Sequence, residues 1–254
     1  MTPNANLTNY SLYGSGVFTT IRIVDSKPWL WEKHWRRLTH DAARLGIDTS
    51  PYSEHMVERG LNESIPDADK LMPQKARITI TDLRNSPLWS DAAQPIPSNV
   101  KFLVSPLREI PRPFRLSISP YSVNSRSPLA GLKTCNYLEQ TMALDEAKSR
   151  GTNEAIRLNE HGHVTSACMA NVFWMKGGRL FTPALTTGCR PGTTREFVME
   201  NLDVNETEAT LDALQKADAM YLTSAGLGVV AVDEFEGRRL NAPHHPILSL
   251  VPSI

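Results

Sequence analysis

Lys133 is the first residue of this 254-residue chain whose surroundings suggest chemistry. It stands in Ser127-Pro128-Leu129-Ala130-Gly131-Leu132-Lys133-Thr134-Cys135-Asn136-Tyr137, after a small Ala-Gly pair and ahead of a helical pattern. A primary amine can form and release an imine with an aldehyde, but a lone lysine is ordinarily a surface cation. Thr193-Thr194 follow Arg190-Pro191-Gly192 at the start of a helical pattern. Two hydroxyls, unpaired helix N–H groups and the positive end of the helix dipole make an anion seat there, although a plain cap is the commoner role. Arg37 lies among apolar helix positions and by itself reads as a solvated arginine. Thr223 and Ser224 lead into the small-residue loop Ser224 to Gly228, which could approach a ligand or simply turn. His161 and His163 flank a glycine turn and, like His244-His245, read as solvent-facing rather than as metal ligands.

The elements that must position these residues are legible. Tyr13-Gly14-Ser15-Gly16-Val17-Phe18 runs into a β-branched strand through Val24. Trp31, Trp35, Leu38, Ala42 and Leu45 form one helix face, closed by Gly46. A second helix is predicted at Ser53 to Ser64. Ala76 to Thr81 alternates as a strand, and Val100 to Val104 is apolar enough to predict a strand buried on both faces. The prolines between 106 and 113 mark a linker. The expected division is a small α/β domain over 1–106, a linker over 107–113 and a larger domain over 114–254.

In the second half, Phe114, Leu116 and Ile118 alternate, a helix is predicted from about Thr134 to Arg150, and Ala155 to Asn159 is a strand. Asn159-Glu160-His161-Gly162 turns into His163 to Ser166, and further strands start at Asn171, Leu180, Ala219 and Val229. Pro191 suits the first turn of the helix that follows it. Strands and helices interleave without a regular βαβ rhythm, so the expected class is α+β with mixed sheets.

Charge excludes some functions. Twenty-seven basic and 27 acidic residues cancel, so no nucleic-acid or membrane-surface partner is expected. Cys135, Cys168 and Cys189 have no metal-type spacing, and their odd number suits a reducing compartment. No signal-peptide pattern or membrane-spanning apolar run is visible, and the expected setting is cytoplasmic.

Taken together, the motifs resemble a known family. Gly131 to Leu138, Asn153-Glu154-Ala155-Ile156, Gly162-His163-Val164-Thr165, Asn171-Val172-Phe173, Thr182-Pro183 and Gly192-Thr193-Thr194-Arg195 are similar to those of the fold-type IV pyridoxal phosphate (PLP) enzymes. Tyr13 to Phe18 and His34-Trp35-Arg36-Arg37-Leu38 extend the likeness into the first half, over about residues 12 to 235. That family comprises branched-chain and D-amino acid aminotransferases and 4-amino-4-deoxychorismate lyases. The resemblance implies a two-domain fold like that of the D-amino acid aminotransferases, a homodimer, and an active site between the domains. It implies that Lys133 is the Schiff-base lysine and moves the substrate proton. Tyr137, placed one helical turn on, would bond the cofactor's phenolic oxygen. Arg37, Thr193 and Thr194 would hold the phosphate, with Thr223 and Ser224 on the second phosphate-side loop.

Two positions depart from the pattern. Where the family usually has a glutamate on the pyridine nitrogen, this chain has Ser166. A neutral hydroxyl supports a protonated nitrogen far less than a carboxylate does. Thr19 stands where the aminotransferases commonly have glutamate. Both departures favour elimination over transamination, so the resemblance implies a deoxychorismate lyase that makes 4-aminobenzoate for folate synthesis. An aminotransferase of D- or branched-chain type is the alternative, and a PLP-binding protein with weak catalysis is a third.

Overall fold

The computed structural model describes residues 7–65, 73–90, 96–241 and 245–252. The chain divides into two compact units. One comprises Met1–Leu107 with Leu132–Tyr137, the other Arg108–Gly131 with Leu138–Ile254.

The first unit contains helix α1 (Asn9–Tyr13), strands β1 (Gly16–Val24) and β2 (Lys27–Pro28), helices α2 (Trp31–Arg44) and α3 (Glu54–Glu63), and strands β3 (Gln74–Asp82) and β4 (Ser98–Pro106). Its sheet is ordered β2-β1-β3-β4, and β1 and β3 run antiparallel from Gly16↔Thr81 to Ile23↔Gln74. Period-two alternation sends Val17, Ile21 and Ile23 to the same face as Ala76, Ile78 and Ile80, where Leu38 and Ala42 of α2 and Val57 and Leu61 of α3 cover them. Ile21, Ile78, Ile80, Leu38 and Leu61 are fully buried. Each such side chain is stabilised by about 1.5–3 kcal/mol relative to exposure, so the β1–β3 pair and its helices anchor this unit.

β4 corrects one expectation. It pairs with β3 on one side and ends the sheet, and Lys101 and Leu103 are exposed rather than buried. An apolar run marks only an edge strand when no layer covers its second face.

β2 meets β1 only at Ile23 and Val24, which leaves the β1 edge near Gly16 open. The Lys133 segment takes that edge: Thr134 bridges to Val17, the Phe18 N–H donates to the Lys133 carbonyl at 2.9 Å, and the Cys135 N–H donates to the Gly16 carbonyl at 2.8 Å. A Cβ on Gly16 would lie 3.0 Å from Cys135 Sγ, so glycine permits the approach. This pairing groups the segment with the first unit, whereas its sequence position suggests the second half. It also delays the next helix. Residues 134–137 are not helical, and that helix begins at Leu138.

The second unit contains β5 (Arg115–Ile118), α4 (Leu138–Ser149), β6 (Glu154–Leu158), β7 (Val164–Ala167), β8 (Asn171–Lys176), β9 (Arg179–Pro183), α5 (Thr193–Asn201), β10 (Val204–Thr207), α6 (Leu211–Gln215), β11 (Ala219–Ser224), β12 (Gly228–Ala231), β13 (Glu234–Phe235) and β14 (Arg238–Arg239). It holds two five-stranded sheets, ordered β10-β9-β8-β11-β12 and β14-β13-β5-β6-β7. Phe114, Leu116, Ile156, Val172, Trp174, Leu222 and Val230 share its main core. The mixture of helices with sheets containing both parallel and antiparallel pairs is the α+β architecture.

Glu154 opens β6 inside this unit. It is buried, its carboxyl oxygens accept from the Met169 N–H at 3.2 and 3.3 Å, and burial raises its pKa to about 7. Its folded pKa therefore exceeds the unfolded one. The stability it contributes is complete below the unfolded value and is lost as pH rises toward 7. We expect Glu154→Gln to gain stability over the native protein between pH 4 and pH 8 by roughly 3 kcal/mol. Denaturant unfolding at the two pH values measures this, and parallel profiles would contradict it.

Candidate active site

Lys133 is held by its backbone and surrounded by aromatic rings. Its N–H donates to Asp41 Oδ2 at 2.9 Å, and its carbonyl accepts from Phe18. Its Nζ lies 3.4 Å from Tyr137 Oη and 4.3 Å from the centroid of the Phe18 ring. Phe18 and Tyr137 meet edge to face at 5.1 Å. The Arg77 guanidinium sits 3.5 Å from the Phe18 centroid, so one ring faces two cations. Tyr137 is thus beside the amine, as expected, but an irregular turn brings it there and not a helical one.

Helix α2 supplies the next layer. His34, Arg37 and Asp41 follow one another along it at helical spacing. Thr19 Oγ1 lies 2.7 Å from His34 Nδ1 and accepts from Arg37 Nη2 at 2.7 Å. His34 is completely buried. Its pKa falls well below the usual histidine range because of burial first, then the positive charges of Arg37 and Lys133. Arg37 donates to Thr19, and Thr19 Oγ1 and His34 Nδ1 share a second hydrogen bond whose direction is set by the imidazole tautomer. Thr19, in the position of the aminotransferase glutamate, therefore orients Arg37 with an uncharged hydroxyl.

The remaining sequence-predicted residues lie in the second unit. Gly192 is the N-cap of α5 and offers no side-chain cap, and Thr193 and Thr194 in the first turn are buried. Pro191 precedes the cap and so lies outside the first turn, where it was expected. Helix α5 packs on β11, whose Thr223 stands opposite Asn171 of β8. Asn171 Nδ2 donates to the Arg190 carbonyl at 2.9 Å, and a Cβ on Gly192 would fall 2.0 Å from Asn171 Oδ1. Only glycine fits there. Asn171 therefore braces the turn that aims α5.

Two hydroxyls in this region point to a ligand. Thr194 Oγ1 and Thr223 Oγ1 are buried and find no hydrogen-bond partner among the described residues. Leaving a buried polar group unmade costs about 1–3 kcal/mol. Two such groups beside a helix start with no side-chain cap fit a phosphate, which accepts from hydroxyls and helix N–H groups alike. Ser224 is committed locally, since its Oγ accepts from the Leu227 N–H at 3.1 Å and shapes the loop.

Ser166 lies on β7, in the other sheet of this unit, directly opposite Arg157. Arg157 is almost wholly buried. It donates to the carbonyls of Tyr121 (3.3 Å) and Ser122 (3.2 Å) and pairs with Glu139 at 3.2 Å. Ser166 is thus a neutral hydroxyl with a buried arginine as its cross-strand neighbour. Sequence reasoning missed Arg157, Asp41, His34 and Asn171. His34 and Asp41 flank the apolar stripe of α2 at i and i+7, which is a faint signal. Nothing in the spacing of Asn171 predicts its bracing role. His161 and His163 pair with Glu160 and Glu208, each at 3.8 Å, and His244 lies outside the described residues.

The first unit thus holds an amine beside aromatic rings and a phenol, and the second a helix start with two buried hydroxyls that have no partner among the described residues. Comparisons with known proteins identify the family. The model of the amino-transferase class IV family matches residues 16–235, and the chain belongs to that family. The chain is 29% identical over 233 residues to the aminodeoxychorismate lyase of Bacillus subtilis, covering 89% of this chain and 79% of that protein. It is 25% identical over 236 residues to the D-alanine aminotransferase of Bacillus licheniformis, covering 91% and 82%. The solved 4-amino-4-deoxychorismate lyase of Pseudomonas aeruginosa superposes with a TM-score of 0.81 over 98% of this chain and 93% of that one. Its 22% identity speaks to fold alone, and the fold is that of the fold-type IV enzymes. The family works with PLP, and this chain is a PLP-dependent enzyme.

Replacing an orphaned hydroxyl by a methyl should leave the ligand-free protein unharmed. We expect Thr194→Val and Thr223→Val each to change its stability by no more than about 1 kcal/mol, in the stabilising direction, while weakening PLP affinity. Thermal unfolding with and without PLP checks both halves. Destabilisation without PLP, or undiminished affinity, would contradict the assignment.

Proposed function

We propose that this enzyme is a 4-amino-4-deoxychorismate lyase, releasing pyruvate and leaving 4-aminobenzoate. The observation that carries the reading is Ser166, opposite buried Arg157. By the resemblance, Ser166 would take the place of the carboxylate that would keep a pyridine nitrogen protonated.

PLP, when bound, supplies the electron sink for bonds broken next to the substrate's amine nitrogen. Lys133 would carry it on its amine and afterwards take the proton from the ring carbon that bears that nitrogen. Tyr137 would donate to the phenolic oxygen beside Lys133. Arg37, held by Thr19, would bind the phosphate together with the N–H groups and hydroxyls of Thr193 and Thr194 and with Thr223, while Ser224 shapes the adjoining loop. Ser166 would face the ring nitrogen. Loss of the proton and of the enolpyruvyl oxygen leaves an aromatic ring. That driving force tolerates the weaker sink that Ser166 implies, whereas transamination depends on a longer-lived carbanion. The likeness to the Bacillus subtilis lyase supports this reading, and the likeness to a D-alanine aminotransferase keeps transamination as the second one.

Among the described residues no helix is long and apolar enough to cross a membrane, and we place the enzyme in the cytoplasm. We also propose a homodimer. The exposed side chains of Tyr13, Leu88 and Trp89, with Trp89 Nε1 donating to Tyr13 Oη at 2.8 Å, support a subunit contact near the Tyr13 to Phe18 segment.

Purified protein given PLP and aminodeoxychorismate should produce fluorescent 4-aminobenzoate and pyruvate in equal amounts, with no 2-oxo acid added as amino-group acceptor. Rapid half-reactions with amino acids and no 4-aminobenzoate would establish the aminotransferase instead.

A further inference from the structure

The backbone around Lys133 contains one contact that sheet pairing does not supply. The bridge between Thr134 and Val17 explains the Lys133 carbonyl and the Cys135 N–H, but the ladder stops there. The N–H of Lys133 turns away and is taken by the Asp41 carboxylate at 2.9 Å. Asp41 is 2% exposed, and its other oxygen lies 3.2 Å from Nδ1 of His40, whose side chain is largely exposed. A buried carboxylate is costly unless it is paired or hydrogen-bonded, so its use on a main-chain N–H needs a reason.

The reason lies in the helix that bears it. Asp41 follows Arg37 by four residues on α2, hence one turn along the same face. Arg37 is fixed through Thr19, and Asp41 is fixed to Lys133. One rigid helix therefore grips both the arginine assigned to the phosphate and the residue that bears the amine.

We propose that Asp41 is a positioning residue that sets Lys133 relative to Arg37 by clamping the lysine's main-chain N–H. It touches no reacting atom. Without it the segment would keep its edge pairing to β1 but lose its tie to α2, so the amine would wander with respect to the cofactor. The proposal rests on Lys133 being the lysine that carries PLP.

The test compares native protein, Asp41→Ala and Asp41→Asn in the full-length chain. Asparagine retains a carbonyl oxygen that can accept the N–H, so it should rescue what alanine loses. Without PLP, the Lys133 amide should be protected from hydrogen exchange in native protein and in D41N. In D41A it should exchange about tenfold faster or more, while the amides of Ile78 and Ile80 remain unchanged. With PLP, the visible circular dichroism of the bound cofactor reports its orientation. It should fall by about half or more in D41A, with PLP release about tenfold faster, and both should stay near native in D41N. A Lys133 amide that exchanges rapidly in native protein overturns the proposal. So does a D41A variant that matches native protein in exchange and dichroism, or a D41N variant that loses as much as D41A. If D41A does not fold, protection of the native amide together with a native-like D41N supports the clamp. Failure of native protein to take up PLP would remove the functional reading, and the exchange experiment would still decide whether Asp41 clamps the segment.

Discussion

The structure depends on a short stretch of backbone pairing, in which residues 133–135 add themselves to the open edge of β1. A sheet edge is a row of unmet donors and acceptors, and here the chain satisfies part of that row with the segment that bears its reactive amine. The consequences spread outward. Phe18, on the strand just joined, becomes the ring on which Lys133 Nζ rests. Tyr137, at the end of the same segment, meets both the ring and the amine. Thr19, the next residue of β1, turns to the other face of the sheet and ties Arg37 and His34 together. A single antiparallel bridge thus organises the amine on one face and the network around the guanidinium on the other.

The second unit offers features that suit an anion. These are a helix start with no side-chain cap, a glycine whose missing Cβ leaves space for Asn171, and two buried hydroxyls with no described partner. Such groups weaken the ligand-free protein, and the free energy is recovered when an acceptor arrives. In the first unit, burial and then the neighbouring charges of Arg37 and Lys133 hold the His34 pKa well below the usual histidine range, so its imidazole stays neutral beside Arg37.

Much of this was legible in the sequence. The alternation of Ala76 to Thr81 gave β3, the apolar stripe from Trp31 to Leu45 gave α2, and the Gly192-Thr193-Thr194 turn gave the start of α5. These features are local, and periodicity or capping chemistry sets them. Apart from Pro191, which precedes the α5 cap by one residue, the misreadings involve contacts distant in the chain. Val100 to Val104 looked buried on both faces because composition cannot say whether a covering layer exists. The helix after Lys133 was placed four residues early, because strand pairing with β1 outcompeted good helix formers. Asp41, Arg157 and Asn171 act through partners 92, 18 and 19 residues away in sequence, and no spacing rule connects such pairs. Lys133, Tyr137, Arg37 and the threonines were singled out by family resemblance, and their roles rest on that resemblance.

The central claim is that Lys133 carries the cofactor on its amine. Native protein should be incubated with PLP, reduced with borohydride and digested, and the peptides analysed by mass spectrometry. The account predicts one phosphopyridoxyl group, on the peptide that contains Lys133, and none on that peptide in Lys133→Arg. A label on another lysine, or no label at all, would contradict it.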